Sequence, residues 1–150
     1  MRVLIQRVDW GRASVGGDTV GEIGPGMVLL IGIADEDTES VADTMAKKIA
    51  HLRIFEDDAG KMNLSLLESG GAALVVSQFT LFADCTKGRR PYFGNAGAPS
   101  HATYLCEYFV KSLGALGITA ETGTFGAMMK VELSNDGPVT IWLDSNNLKR

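Results

Sequence analysis

Side-chain types alternate with a period of two in the first third of the chain, which is typical of β-strands. Residues Val3–Val8 follow this alternation, and two short strands are predicted at Ala13–Val15 and Thr19–Ile23. The continuous apolar run Met27–Ile33 then predicts a buried strand. The early part of the chain is therefore expected to build a sheet.

Two later segments repeat their apolar residues every three or four positions, which predicts amphipathic helices. The first begins at Asp37-Thr38, and the second begins at Pro99-Ser100 and ends near Gly117. The two apolar faces consist of Val41, Met45, Ile49 and Leu52 and of Leu105, Phe109, Leu113 and Leu116.

Further strands are predicted in the middle and last parts of the chain. They are a short strand at Arg53–Phe55, a strongly apolar strand at Ala72–Phe82, and two final strands around Met128–Leu133 and Val139–Leu143. Runs of strands with helices inserted only twice indicate an α+β fold. We expect one domain over residues 1–150, with a mostly antiparallel, barrel-like β-sheet and two main helices.

Composition narrows the class of protein. The chain has 150 residues, and 45% of them are hydrophobic, which is typical of a globular protein. Its formal charge of −4 argues against a protein that coats a long nucleic-acid backbone. The longest apolar run is too short to cross a membrane, and the two cysteines form no metal-type pair. A soluble, cytoplasmic protein with reduced thiols is expected.

The common catalytic motifs do not occur in this sequence. His51, in the first helix, is expected to face solvent, and His101 is expected in the first turn of the second helix. These scattered residues make neither a triad nor a metal site, so no metal and no cofactor is predicted.

The segment Ser77-Gln78-Phe79-Thr80-Leu81 is the first candidate for chemistry, since it places polar groups near the end of an apolar strand. One interpretation is a strand that simply leaves the core, with Thr80 present for its β-propensity. The other is a backbone corner whose N–H groups face a ligand oxygen, as an oxyanion hole requires.

Two further segments each have two interpretations, one functional and one purely structural. Lys87, Arg89 and Arg90 lie in the long loop Ala83–Ser100 and form either a phosphate-binding patch or a solvated run of charge. Asn135-Asp136-Gly137-Pro138 is either a plain turn or part of a site, and spacing alone favours a trans Gly137-Pro138 bond.

Taken together, Ser77–Leu81 and Asn135-Asp136-Gly137-Pro138-Val139-Thr140 resemble the signature pair of the D-aminoacyl-tRNA deacylases. The likeness runs nearly end to end. It includes Gln6-Arg7-Val8, Ala13-Ser14-Val15, Gly21-Glu22-Ile23-Gly24, Arg53-Ile54-Phe55, Gly60-Lys61-Met62-Asn63-Leu64, Lys87-Gly88, Arg90-Pro91 and Thr122-Gly123. The chain departs from the family pattern in a slightly longer Asp9–Arg12 segment and in Tyr92, where a small residue is usual.

The resemblance implies a homodimer with active sites at the subunit interface. Ser77, Gln78, Phe79 and Thr80 would form the floor of each site. A cis Gly137-Pro138 bond, flanked by Asn135 and Asp136 and fixed by Arg7, would enter from the other chain. The partner would be the 3′ end of an aminoacyl-tRNA, held in part by Lys87, Arg89 and Arg90.

The reaction implied is hydrolysis of the ester that joins a D-amino acid to the terminal adenosine. The 2′-hydroxyl of the tRNA would assist, and the backbone N–H groups of Phe79 and Thr80 would stabilise the oxyanion. A nucleophilic Thr80 is the alternative within this family.

Selectivity in such a site would come from exclusion. Preference for one methylene is worth only about 1–3 kcal/mol, whereas a rigid wall at Gly137-Pro138 would clash with every L side chain. Because glycine has no side chain, glycyl-tRNA should also be cleaved.

Two rival classes stay open at this point. A noncatalytic nucleic-acid-binding protein would bind RNA or DNA ends and tolerate loss of Gly137-Pro138. A general esterase acting through Thr80 would not need the tRNA 2′-hydroxyl.

Overall fold

The computed structural model describes residues 1–148. This part of the chain forms strands β1 (Arg2–Val15), β2 (Asp18–Ile23), β3 (Gly26–Gly32), β4 (Phe55–Glu56), β5 (Met62–Leu64), β6 (Ala72–Ser77), β7 (Ala120–Thr122) and β8 (Lys130–Asp144). Its helices are α1 (Glu39–Ala50), α2 (Leu66–Ser69) and α3 (Pro99–Ala115), and 3₁₀ turns span Phe79–Phe82 and Ser145–Asn147. Within this range β5, α2 and β7 are elements that the sequence pattern did not predict.

Six strands form one sheet in which β1 is the central element. It pairs antiparallel with β2, β3 and β8, while β3 pairs parallel with β6 and β6 pairs parallel with β7. The two ends of this path meet closely, since a Cβ on Gly21 would lie 2.3 Å from the carbonyl oxygen of Thr122. The nearly closed, barrel-like sheet of the α+β prediction is therefore confirmed, with a parallel part at β3–β6–β7.

The two faces of β3 contact different cores. Met27, Leu29 and Ile31 pack in the cluster that contains the buried faces of α1 and α3. Val28 packs instead with Leu74 and other residues of the sheet interior. The two helices thus cover one face of the sheet, as their apolar stripes require.

Both helix starts were predicted correctly. Thr38 caps α1, and its hydroxyl accepts from the amide of Val41 at 3.4 Å. His101 lies in the first turn of α3 and bonds the carbonyl of Asp37 at 3.0 Å through Nε2. His51 is exposed, as expected, but it lies just after the last residue of α1 rather than inside the helix.

The strand predicted over Ala72–Phe82 is wrong in its second half. The strand ends at Ser77, because β3 beside it ends at Gly32 and offers no further parallel partner. The chain then turns, with the amide of Leu81 donating to the Gln78 carbonyl at 3.2 Å.

The predicted strand boundaries at the two chain ends are also corrected. Residues 2–15 form one strand rather than two, and the two final strands are halves of β8. Both halves of β8 pair with β1, with Gln6 opposite Thr140 and Val8 opposite Asn135. Four residues, 136–139, therefore bulge out opposite a single residue of β1.

Candidate functional site

The end of β6 leads into a sharp corner that carries the first signature motif. The amide of Gln78 donates to the Ile31 carbonyl at 2.7 Å, which extends the contact with β3 one residue beyond Ser77. Ser77 and Gln78 are half-buried, whereas Phe79 and Thr80 are exposed. The motif therefore runs from the sheet onto the surface through a backbone corner.

Two backbone N–H groups at this corner are available to an external acceptor. The first N–H groups of a helical turn have no partner inside the turn. Nothing within residues 1–148 accepts a hydrogen bond from the N–H of Phe79 or Thr80. The side-chain amide of Gln78 donates to the Thr80 hydroxyl. Adjacent N–H donors of this kind suit the negatively charged oxygen that forms when a nucleophile adds to a carbonyl carbon.

A cavity of about 620 Å³ opens beside the corner. Its walls are mostly apolar and include Phe79, Phe93, Phe125, Met128 and Met129, with Ser77 and Gln78 at one side. Phe79 and Phe93 contact edge to face, with ring centroids 5.1 Å apart. An aromatic, partly open cavity of this kind suits a flat ring more than a charged group.

The segment between β7 and β8 contributes residues that sequence reasoning missed. Met128 was predicted to start a strand, but β8 begins at Lys130 and Met128 is 92% exposed. Phe125 is 39% exposed and lines the same cavity. The sequence signal was the pair Met128-Met129, two residues after Gly126, which resembles an ordinary strand start.

The second signature motif forms the bulge of β8. Asp136, Gly137 and Pro138 are exposed, Val139 is buried, and the Gly137–Pro138 peptide bond is cis. The side chain of Asn135 spans the base of the bulge. The motif is therefore held at its base and open to solvent at its tip.

Arg7 lies beneath this bulge with 5% of its surface exposed. Its Nε donates to the Asp136 carbonyl at 3.0 Å and lies 3.5 Å from the Asp136 carboxylate. Its Nη1 donates to the carbonyl of Ile54 at 2.7 Å. A buried guanidinium thus links the bulge to the segment before β4, which explains a charged residue inside an apolar strand.

The structure does not bring the two motifs together within one chain. Within residues 1–148 the cavity is lined by residues of the segments 31–33, 76–79, 93–102 and 125–131, without any residue of the 135–138 bulge. The bulge contacts Arg7 on β1 instead.

The basic residues Lys87, Arg89 and Arg90 lie exposed in the long loop. The loop is closed by Asp84 and Tyr92, whose amides donate to each other's carbonyls at 2.8 and 2.9 Å. The cations therefore stand at the tip of a closed loop, outside the cavity wall.

A smaller cavity of about 120 Å³ lies near Ser77 and includes Cys106. Burial raises the pKa of the Cys106 thiol to about 11.

In the described range no group of three or more His, Cys, Asp or Glu side chains is arranged to hold a metal ion. None of the helices of residues 1–148 is both long and apolar enough to cross a membrane.

Comparison with known proteins places this geometry in a family. The family model described as D-Tyr-tRNA(Tyr) deacylase matches residues 4–144, which include the corner, the cavity walls and the bulge. The chain belongs to the D-Tyr-tRNA(Tyr) deacylase family.

Relatives named D-aminoacyl-tRNA deacylase match over nearly their whole length. One from Thermomicrobium roseum is 57% identical, with 99% of this chain and 97% of the relative covered. One from Thermus aquaticus is also 57% identical, with 97% and 96% covered. The family resemblance drawn from the motifs is therefore confirmed.

Two solved structures superpose on nearly the whole chain. The c-Myc DNA unwinding element binding protein is 38% identical, with a TM-score of 0.90 and with 96% of this chain and 98% of that chain covered. A probable eukaryotic D-amino acid tRNA deacylase is 21% identical, with a TM-score of 0.84 and with 95% and 97% covered. The second likeness bears on the fold alone.

Proposed function

We propose that this chain is a D-aminoacyl-tRNA deacylase, an ester hydrolase that releases a D-amino acid from tRNA in the cytoplasm. The observation that carries the proposal is the corner at Phe79 and Thr80, whose two N–H groups lack an acceptor within residues 1–148 beside an aromatic cavity. The names of relatives 57% identical to the chain support the same activity.

In this reaction the protein orients the ester and stabilises the negative charge that develops on its carbonyl oxygen. The N–H groups of Phe79 and Thr80 bind the oxyanion that forms when water adds to the ester carbonyl. The leaving oxygen belongs to the terminal ribose, and the neighbouring 2′-hydroxyl of the tRNA assists proton transfer. The cavity beside the corner accepts the terminal adenine, because its walls are aromatic and apolar.

Thr80 serves as a positioning group rather than as a nucleophile in this proposal. Its hydroxyl receives a hydrogen bond from the Gln78 amide. No His, Lys, Asp or Glu side chain in the described range hydrogen-bonds to it, so an activating base is not in place.

Rejection of L substrates is assigned to the exposed Gly137–Pro138 tip of a partner subunit. Two observations support a site shared between subunits. The tip is exposed in its own chain, and it does not line that chain's cavity within residues 1–148. Arg7 and Asn135 hold the bulge, so the tip is a rigid wall that excludes an L side chain. Glycyl-tRNA escapes this wall and is also hydrolysed.

The 3′ end of the tRNA is the expected partner on the open side of the site. Lys87, Arg89 and Arg90 stand at the exposed tip of one loop, and Phe93 of the same loop lines the cavity. These cations bind the phosphates beside the terminal nucleotide, although the net charge of the chain is negative.

The decisive experiment compares D-tyrosyl-tRNA, L-tyrosyl-tRNA and glycyl-tRNA at equal enzyme concentration. Hydrolysis of the D and glycyl esters with the L ester intact is expected. Equal loss of the D and L esters would contradict the wall at Gly137–Pro138, and loss of no ester would contradict the activity itself.

The shared site has its own test in mixed dimers. Phe79→Pro removes one N–H group of the corner. Gly137→Ala and Phe79→Pro chains should each have little activity alone, while their mixture should recover one working site per dimer. Absence of recovery would show that both motifs serve the same chain, and a monomer in sedimentation would contradict the shared site.

Binding without catalysis is a second candidate, favoured by one observation. A solved structure 38% identical to the chain is described as a DNA-unwinding-element binding protein. In this case the chain would bind nucleic-acid ends equally well with and without Gly137, and charged tRNA would stay intact.

A further inference from the structure

The guanidinium of Arg2 makes four contacts at the junction of three elements. Its Nη1 donates to the Leu81 carbonyl at 3.0 Å, and its Nε donates to the Asp144 carboxylate at 3.0 Å. Its central carbon lies 4.5 Å from the ring centroid of Phe82 and 5.7 Å from that of Trp142. One side chain at the start of β1 therefore joins the turn after β6 to the end of β8.

The turn that Arg2 contacts is the one that carries the Phe79 and Thr80 N–H groups. A 3₁₀ turn this short has poor internal hydrogen-bond geometry, so its orientation depends on contacts outside it. The Leu81 carbonyl belongs to the Leu81–Phe82 peptide plane, two planes beyond the one that carries the Thr80 N–H. The bond from Arg2 therefore fixes the last part of the same short turn.

A second contact fixes the other side of the same turn. The ring of Phe82 packs over Gly32, where a Cβ would lie 3.0 Å from two ring atoms. Phe82 is buried, with Arg2 on its face. The ring is thus held between the backbone of β3 and the guanidinium.

The chemistry of this position calls for arginine. A lone ion pair at a partly exposed site contributes little, and the Arg2 side chain is 32% exposed. A planar guanidinium differs because it can donate to a carbonyl and a carboxylate in its plane while its faces meet aromatic rings. The ammonium of lysine would keep the attraction to Asp144 but would lose this combination.

We propose that Arg2 is a positioning residue for the hydrolytic site, which holds the Phe79–Phe82 turn in register with the end of β8. This inference rests on the proposed function of that turn. Arg2 lies outside the cavity lining, so it acts through Leu81 and Phe82 rather than on the substrate.

Arg12 provides a matched control on the same strand. It also pairs with a carboxylate, since its Nη2 lies 2.7 Å from Glu132, and it lies 5.8 Å from the ring centroid of Trp10. Within residues 1–148 Arg12 makes no hydrogen bond, ion pair or ring contact with the turn. Substitution of either arginine by methionine therefore removes a positive charge and a contact with a tryptophan ring. Only the Arg2 substitution also removes a contact with the turn.

The test measures D-tyrosyl-tRNA hydrolysis by wild type, Arg2→Met, Arg2→Lys and Arg12→Met. For Arg2→Met we expect kcat to fall about 10- to 100-fold with KM changed less than about threefold, because the reacting groups are misplaced while tRNA binding is kept. Arg2→Lys should recover only part of kcat, and Arg12→Met should match wild type.

Amide hydrogen exchange gives a readout that does not depend on activity. Arg2→Met should raise exchange at the Leu81 and Ala83 amides, both of which close the turn, and leave the centre of α1 unchanged. Exchange that rises everywhere, or a kcat equal to wild type, would overturn the positioning role. If Arg2→Met does not fold, the folded Arg2→Lys variant must show both effects in weaker form, and their absence would overturn the inference.

Failure of the inference is distinguishable from failure of the proposed function. An inactive wild-type enzyme contradicts the deacylase proposal, whereas an active wild type with an equally active Arg2→Met variant contradicts the role of Arg2 alone.

Discussion

The side-chain oxygen of Asn135 accepts a hydrogen bond from the amide of Val139 at 2.8 Å, and this bond closes the bulge of β8 at its base. The amide group of Asn135 donates in turn to the Thr140 hydroxyl at 2.9 Å. With Arg7 beneath Asp136, the bulge is held at two points. The Gly137–Pro138 tip is therefore anchored to its own chain on both sides.

Substitution Gly137→Ala should abolish most deacylase activity. Gly137 has a φ of +135°, and a Cβ there would lie 2.8 Å from a methyl carbon of Val139 and 3.2 Å from Nη2 of Arg7. We expect a loss of at least tenfold in kcat/KM for D-tyrosyl-tRNA. Gly16→Ala is the control, since Gly16 has a φ of +57° in open space, and it should cost about 1–2 kcal/mol of stability without loss of activity.

Substitution Arg7→Met should destabilise the protein and weaken its discrimination against L substrates. The change leaves the carbonyls of Ile54 and Asp136 without their donor, at a cost of about 1–3 kcal/mol for a buried group. Urea unfolding measures the stability, and the ratio of D to L hydrolysis measures the selectivity. Arg12→Met, at an exposed pair, should change stability by less than about 0.5 kcal/mol. Equal selectivity in wild type and Arg7→Met would contradict the anchoring role.

Substitution Thr80→Ala should leave kcat within about tenfold of wild type, because it keeps both backbone N–H groups of the corner. Removal of a true nucleophile costs on the order of 10⁴-fold or more. Single-turnover hydrolysis of D-tyrosyl-tRNA separates the two cases. A loss of the larger size would assign the chemistry to the Thr80 hydroxyl.

Substitution Arg89→Ala should weaken tRNA binding in a salt-dependent manner. If Arg89 contacts one phosphate near the 3′ end, the slope of log K against log salt should fall by about 0.7–0.9. Lys48→Ala removes an exposed cation in the last turn of α1, away from the cavity, and should leave the slope unchanged. Equal slopes for wild type, Arg89→Ala and Lys48→Ala would show that Arg89 is a solvated charge without a phosphate contact.

The two cysteines should differ strongly in reactivity. Cys85 is exposed, whereas burial raises the pKa of Cys106 to about 11. At pH 8 only about one Cys106 thiol in a thousand is ionised, and the thiolate is the reactive form. Iodoacetamide should therefore add a single group to the native protein, at Cys85, as mass spectrometry of peptides measures. Prompt labelling of a Cys85→Ser variant would contradict this.

Local sequence pattern was sufficient for elements whose boundaries are set by local chemistry. Thr38 and Pro99 mark helix starts through capping and the fixed proline φ, so α1 and α3 were predicted well. The buried strand β3 followed from its apolar run, with a difference of one residue at each end.

The end of β6 was not predictable from local pattern, since Phe79–Phe82 has the composition of a strand. Its course depends on where β3 stops and on the space over Gly32 that receives Phe82. The cavity formed by Phe93, Phe125 and Met128 likewise depends on segments far apart in sequence. Residue types singled out the two motif segments, and the family resemblance paired them and implied their function. Their separation within one chain required the fold.

The pairing of β1 with β8 joins Arg2 to Asp144 at one end and Ser14 to Lys130 at the other. During synthesis on the ribosome, β1 emerges before the other strands. The edge of β1 that pairs with β8 stays unpaired until nearly the whole chain has been made. Such non-local contacts slow folding and leave an open strand edge, which favours association with other chains. The bulge above Arg7 and the Arg2 junction both form at this late step. A nascent chain therefore forms its bulge and loses its exposed edge in the same event.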